Sequence, residues 1–272
     1  FERPQILLVP EHATHEAELD LCRALGDTAS RDGEVLSFQS LATRVLSQTG
    51  GISDITLDNG GKILIMRRAL QEVSSYLTVF SKPSQRPAFL RELVALADEL
   101  YAYKIAPSLL LQQVQDIPGA AGDKLRSTAL LFGAYDARLH GGDFDARSKV
   151  QKLCDKLPNS DYLCGKDIYI DGFSYFNRTE EDIIAAALKQ ANSVTVTLLG
   201  DDSDPQLFHN GIQQRERLRR LAKDAGCSCE VENLVRNSDT AFSHLERYFL
   251  GAEKAWTGDT PPITLYQANT AY

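Results

Sequence analysis

The chain has 272 residues, 43% hydrophobic and 24% charged, with a formal net charge of −8. Such a composition is ordinary for a globular protein and excludes disordered and collagen-like classes, and the length suits one large domain or two small ones. Its acidity rules out a protein that coats nucleic acid over its whole surface, so any contact of that kind must be local.

In chain order, Phe1-Glu2-Arg3-Pro4 leads straight into an apolar run at 6–9, a strand with no preceding element to introduce it. That abrupt opening predicts that the chain is a piece of a longer polypeptide. Helical periodicity follows at 11–25, a second strand at 35–38 and a second helix at 40–47. From 61 to 157 no strand is legible. There Phe89, Leu93, Leu96, Leu100 and Tyr103 recur at helical spacing, as do Leu125, Phe132, Tyr135 and Leu139. A third strand is predicted at 168–170, with a helix at 179–191 for which Thr179 and Asp182 supply a capping box. Further strands are predicted at 194–199 and 230–234. Most of these runs are apolar throughout, as strands covered on both faces must be, which predicts a parallel sheet. Gly258, Pro261 and Pro262 then read as a linker before a fresh strand-like run at 263–266. The pattern predicts an α/β core in two parts, 1–60 and 158–250, split by an all-helical insertion at 61–157, with 251–272 a linker and the start of a following domain. No apolar run approaches the roughly 18 residues of a membrane span, and no basic-then-apolar leader is expected at the start. A cytoplasmic protein without a membrane partner is expected.

In an open α/β sheet, chemistry sits in loops leaving the carboxyl ends of strands. Asp171 follows a buried strand, where nucleotide-hydrolysing proteins hold magnesium, but the next residue is Gly172, which can neither accept a proton nor orient a water. Neither Gly61-Lys62 nor Gly165-Lys166 completes the phosphate-cradling pattern G-x-x-x-x-G-K-[ST]. Asp171 and Asp201 are therefore read as vestigial nucleotide or magnesium positions, with a plain turn residue as the equal alternative for Asp171. No catalytic residue and no metal ligand set is expected. Two further alternatives stay open: a metal-dependent phosphohydrolase using Asp171, Asp201, Asp202 and Asp204, and a protein-only assembly module. The five cysteines are scattered, and Cys227-Ser228-Cys229 lacks a second pair, so reduced thiols are expected. His12 and His15 open a helix without a partner motif. Arg215, Arg219 and Lys223 share one helical face, where a solvated face is favoured over phosphate contact.

Taken in order, Ile6 to Glu11 with Thr14, Val35 to Leu46 with Thr49-Gly50-Gly51, and Ile168 to Phe173 with Phe176 resemble the amino-terminal region of AddB-type subunits of bacterial ATP-dependent helicase–nucleases of the AddAB/RexAB kind. The resemblance covers essentially the whole chain, and residues 125–139 followed by Asp143-Phe144-Asp145 fall where superfamily 1 helicases place a similar helix and acidic-aromatic turn. It implies a helicase-like core of the superfamily 1 domain 1A type with a 1B-like helical insertion, in a fragment that is inactive alone. It also implies DNA double-strand-end processing in recombinational repair, scanning of the emerging single strand for the hotspot Chi, and an AddA-type motor subunit as partner. Magnesium and ATP would belong to the full-length protein, and an iron–sulfur cluster to a nuclease domain far downstream. Glu11, His12, Thr14, Phe38, Ser40 and Phe176 are the residues the resemblance and the loop positions assign to nucleic acid. His12 stands where glutamine is usual, and Ser40 and Thr43 stand where larger basic or aromatic residues occur. The residues themselves agree with a strand-binding surface, since aromatic faces such as Phe38, Phe173, Tyr175 and Phe176 stack bases. Of these, Phe38 and Phe176 are the preferred faces, and Phe173 is expected to be buried.

Overall fold

The computed structural model describes residues 3–26, 33–50, 57–80, 86–140, 148–202 and 205–234, with 241, 244, 248, 257 and 258. Contacts divide the chain into two units, 1–229 and 230–272. The first unit is built on four short parallel strands, β1 (Gln5–Leu8), β2 (Gly33–Leu36), β3 (Asp167–Ile170) and β4 (Ser193–Val196), in the order β2-β1-β3-β4. Ile6 pairs with Glu34 on one side and with Ile168 on the other, and Ile170 pairs with Val196.

Side chains alternate across a strand, so one face of the sheet carries Ile6, Leu8, Leu36, Ile168 and Ile170, all buried. Against it lie three helices: α2 (Phe38–Thr49), α7 (Lys149–Lys156) and α8 (Arg178–Gln190). Leu41, Val45, Leu153, Ile183 and Ile184 from these helices belong to the same core. The opposite face departs from the expectation of strands covered on both sides. Helix α1 (Thr14–Leu25) buries none of its residues, and Tyr169 is 39% exposed. A cavity of about 250 Å³ there is lined by Gln5, Leu7, Leu21, Leu25, Glu34 and Tyr169. Four-residue apolar runs are equally compatible with one-sided burial, which is why their composition misled.

The helices start where local chemistry allows. Ser37 sits in extended backbone and its hydroxyl accepts the Ser40 amide at 3.1 Å, satisfying one of the free amides of α2. Phe38 thereby becomes the first residue of a helix rather than the last of a strand. A reciprocal capping box of Asn177 and Glu180 opens α8, in place of the expected Thr179 and Asp182. Thr179 is buried, and its hydroxyl donates to the carbonyl of Ala102 at 2.9 Å.

Between β2 and β3 run α3 (Asn59–Val73), α4 (Pro87–Ala102), α5 (Pro107–Gln113) and α6 (Gly119–His140). Their own core holds Met66, Leu70, Leu93, Val94, Phe132 and Tyr135. Proline at the first helical position of α4 and α5 is preorganised for a helix start. Helix α7, although it lies in the interval read as helical, contributes Leu153 to the sheet core. The acidic-aromatic turn at 143–145 and the linker and strand expected beyond 258 lie outside the described residues.

The last helix of the first unit is α9 (His209–Asp224). In the second unit, residues 230–234 form no strand and are all exposed, against the expectation for that run. His244 and Tyr248 bring their rings to 4.6 Å there.

Candidate nucleic-acid interface

The chain leaves β1 towards β2 on one side and returns to β3 on the other, so the strand order reverses between β1 and β3. In open sheets such a switch point, outside the carboxyl ends of the strands, is where ligands bind. Two loops meet there. After Val9 and Pro10, a single turn at Glu11–Ala13 enters α1, closed by the Ala13 amide donating to the Pro10 carbonyl at 2.9 Å. The Thr14 hydroxyl donates to the Glu11 carbonyl at 2.9 Å, so Thr14 braces the turn, while Glu11 and His12 are exposed.

From β3, the Asp171 amide donates to the Leu8 carbonyl at 2.9 Å, and the Asp171 carboxylate accepts the Thr197 hydroxyl. Gly172 has φ of 79°, and a side-chain carbon at that position would stand 3.3 Å from Pro10 Cδ. Glycine is what lets the two loops close on each other. Phe173 follows, half-buried, with its ring 5.4 Å from Phe38 and 5.2 Å from Phe176.

Phe38 is 5% exposed and Phe176 is 1% exposed. The two rings preferred as stacking faces lie in the core beneath the rim, where no base can reach them; hydrophobic burial at a strand end outweighed the positional argument. Phe173, expected to be the buried one, lies between them and is partly open. Ser40 is spent on the start of α2, its hydroxyl 3.1 Å from that of Ser37. What faces solvent at the rim is Glu11, His12, Asp171, Ser174 and Tyr175, with Tyr175 61% exposed. Tyr103, at the end of α4, is 39% exposed. Tyr175 was overshadowed in the sequence by the flanking phenylalanines, and Tyr103 by the helical stripe it continues. The legible signal for Tyr175 is its hydroxyl, which suits an aromatic ring to a wet surface.

Asp201 is exposed in the loop after β4. Asp202 is bound by both terminal nitrogens of Arg215, at 2.8 and 3.1 Å, and this fork holds its carboxyl below the usual range. Arg215 is thus committed within the protein, and Arg219 pairs with Glu216 at 3.7 Å. Asp204 lies outside the described residues. Among the described residues no group of three or more His, Cys, Asp or Glu stands together to hold a metal ion, and no helix is long and apolar enough to cross a membrane. Burial pushes the Cys154 thiol up to about 11.

Residues 1–246 match the family model described as "ADDB, N-terminal". Among curated proteins, the chain is 27% identical over 285 residues to the B-type ATP-dependent helicase/deoxyribonuclease subunit of Thermoanaerobacter sp. (strain X514), covering 99% of this chain and 25% of that protein. It is 32% identical over 262 residues to the protein of the same name from Desulforamulus reducens, covering 90% of this chain and 23% of the relative. The corresponding protein of Clostridioides difficile (strain 630) is 29% identical over 289 residues, covering 98% and 25%. The chain thus spans about a quarter of the length of the curated relatives it matches.

Proposed function

The chain belongs to the ADDB N-terminal family, and from that premise we propose that it is the helicase-like part of a helicase–deoxyribonuclease subunit, handling a single strand of DNA at the carboxyl rim of its sheet. The observation that carries this is the switch point itself, where the turn at Glu11–Ala13 and the loop from Asp171 to Tyr175 are pressed together by Gly172. On this view the sheet corresponds to a superfamily 1 domain 1A, and helices α3 to α6 to its 1B-like insertion. The process served is DNA double-strand-end processing in recombinational repair, in a complex with an AddA-type subunit. Scanning for Chi would use the same rim.

The role is binding rather than turnover. Asp171 is engaged by Thr197, and Gly172 has no side chain with which to activate a water. ATP and magnesium belong to the assembled enzyme, and an iron–sulfur cluster to a nuclease domain outside these residues.

The test is fluorescence anisotropy of the chain with labelled single-stranded oligonucleotides across a salt series. Binding whose affinity falls steeply with salt is expected, because phosphate neutralisation releases counterions. Absence of binding at low salt contradicts the proposal.

A second reading is favoured by the helices. On the helices, Leu64, Leu109, Leu125 and Leu96 are 62%, 47%, 38% and 37% exposed. Exposed apolar side chains such as these suit docking of the partner subunit. Leu96→Glu with Leu125→Glu should then weaken assembly with that subunit and leave strand binding intact.

A further inference from the structure

The end of α4 meets the start of α8 at two fixed points. The buried Thr179 hydroxyl donates to the Ala102 carbonyl at 2.9 Å, and the Lys104 ammonium pairs with the Asp182 carboxylate. Lys104 takes φ of 56°, a left-handed turn that ends α4 while its own amide donates to the Tyr101 carbonyl at 2.9 Å. Tyr103 therefore stands between two anchors, against the start of α8. Tyr175 leaves the loop that runs from β3 into the same helix start, three residues before it.

These rings are among the exposed large side chains of the first unit, at 39% and 61%. The Tyr103 phenol is held above its ordinary range by partial burial first, then by Tyr175, Glu99 and Glu180, with Arg217 opposing. Two guanidiniums flank them. Arg178 and Arg217 have side chains 54% and 50% exposed, and each approaches the nearly buried Glu181 carboxylate at 3.4 Å. Glu181, together with Asp182 at 3.5 Å from Arg178 Nε, fixes where both cations stand, and each side chain remains about half exposed.

We propose that Tyr103 and Tyr175 form a two-ring platform on which unpaired bases stack, with Arg178 and Arg217 placed to take the phosphates. It rests on the strand-binding role proposed above and gives that role a location, bridging the sheet rim and the helices. The chemistry favours a single strand over duplex, since stacking needs bases free of a partner. Guanidiniums offer planar, bidentate donors to phosphate oxygens. The hydrogen-bonded frame around Ala102, Lys104, Thr179 and Asp182 holds the rings in place before any ligand arrives, which lowers the cost of binding.

The experiment uses the 272-residue chain, labelled oligothymidylate, and an abasic strand of the same length. Tyr103→Ala and Tyr175→Ala should each weaken oligothymidylate binding about ten-fold, since one stack contributes roughly 1–3 kcal/mol and 1.4 kcal/mol is a factor of ten. Tyr103→Phe and Tyr175→Phe should bind as the parent does, and the abasic strand should be indifferent to all four changes. Melting temperatures should stay near the parent value, because both rings are on the surface. Unchanged oligothymidylate affinity in both alanine variants, with the parent chain binding well, overturns the platform and leaves the strand-binding role standing. Equal losses on the abasic strand also overturn it, because no base is then involved. A parent chain that binds neither strand removes the platform and the strand-binding role together.

Discussion

Phe176 and Phe38 show how the same aromatic residue type answers to two pressures at a strand end. Each follows or adjoins a loop where a strand-binding protein would place a stacking ring, yet each is closed over by the core, with Phe173 as the lid between them. Phe176→Ala should therefore lower stability by roughly 3–5 kcal/mol in urea denaturation, with Phe176→Leu restoring most of it. Unfolding of the alanine variant at the parent midpoint would contradict that burial. Gly172 supplies a second test. Alanine there must adopt φ of 79° and meet Pro10 Cδ at 3.3 Å, so Gly172→Ala should cost roughly 1–2 kcal/mol and part the two rim loops. Cys154 sets a pH limit. Its thiol, pushed up to about 11 by burial, keeps its proton after the unfolded thiol has lost its own near pH 9, so the folded state binds more protons in that window and stability falls as pH rises through it. Tyr101, Tyr135 and Tyr162, all raised first by burial, extend the fall to higher pH. Cys154→Ala should shallow the decline between about pH 9 and 11.

At the scale of elements, β1, β3 and the helical stretch from α3 to α6 were legible because apolar runs and helical spacing leave clear marks. Leu93, Phe132, Tyr135 and Leu139 are buried as their spacing predicts. The boundaries were not legible where a single hydrogen bond decides them. Val35-Leu36-Ser37-Phe38 reads as an unbroken strand, and only the Ser37 hydroxyl accepting the Ser40 amide turns Phe38 into helix. Thr179 looked like a cap by residue type, but Asn177 holds that place and frees Thr179 to grip Ala102. Asn177→Ala should consequently cost about 1 kcal/mol through loss of the cap. Thr179→Val should cost a similar amount, because it strips a buried carbonyl of its donor. The two losses should be separable by hydrogen exchange, the first loosening the start of α8 and the second the end of α4. The candidate site was legible as a place, the carboxyl ends of β1 and β3, but not as a set of side chains. Which ring at the rim faces water depends on neighbours far away in sequence, and Tyr103 reaches the rim only through the Ala102 and Lys104 anchors.

For the first unit as a whole, two cores share one chain, one under the sheet and one among α3, α4 and α6, and the Thr179–Ala102 and Lys104–Asp182 contacts tie the α4 end to the α8 start. A binding rim without an activating group at residue 172 should give no magnesium-dependent ATP turnover by this chain; turnover abolished by Asp171→Ala would contradict that. The most direct measurement of the central claim is hydrogen–deuterium exchange of the chain with and without oligothymidylate. Protection confined to residues 10–14, the loop 171–178 and the turn at 102–105 is predicted. Protection absent from all three, or found only on the Leu96 and Leu125 surface of the helices, would contradict a strand-binding rim.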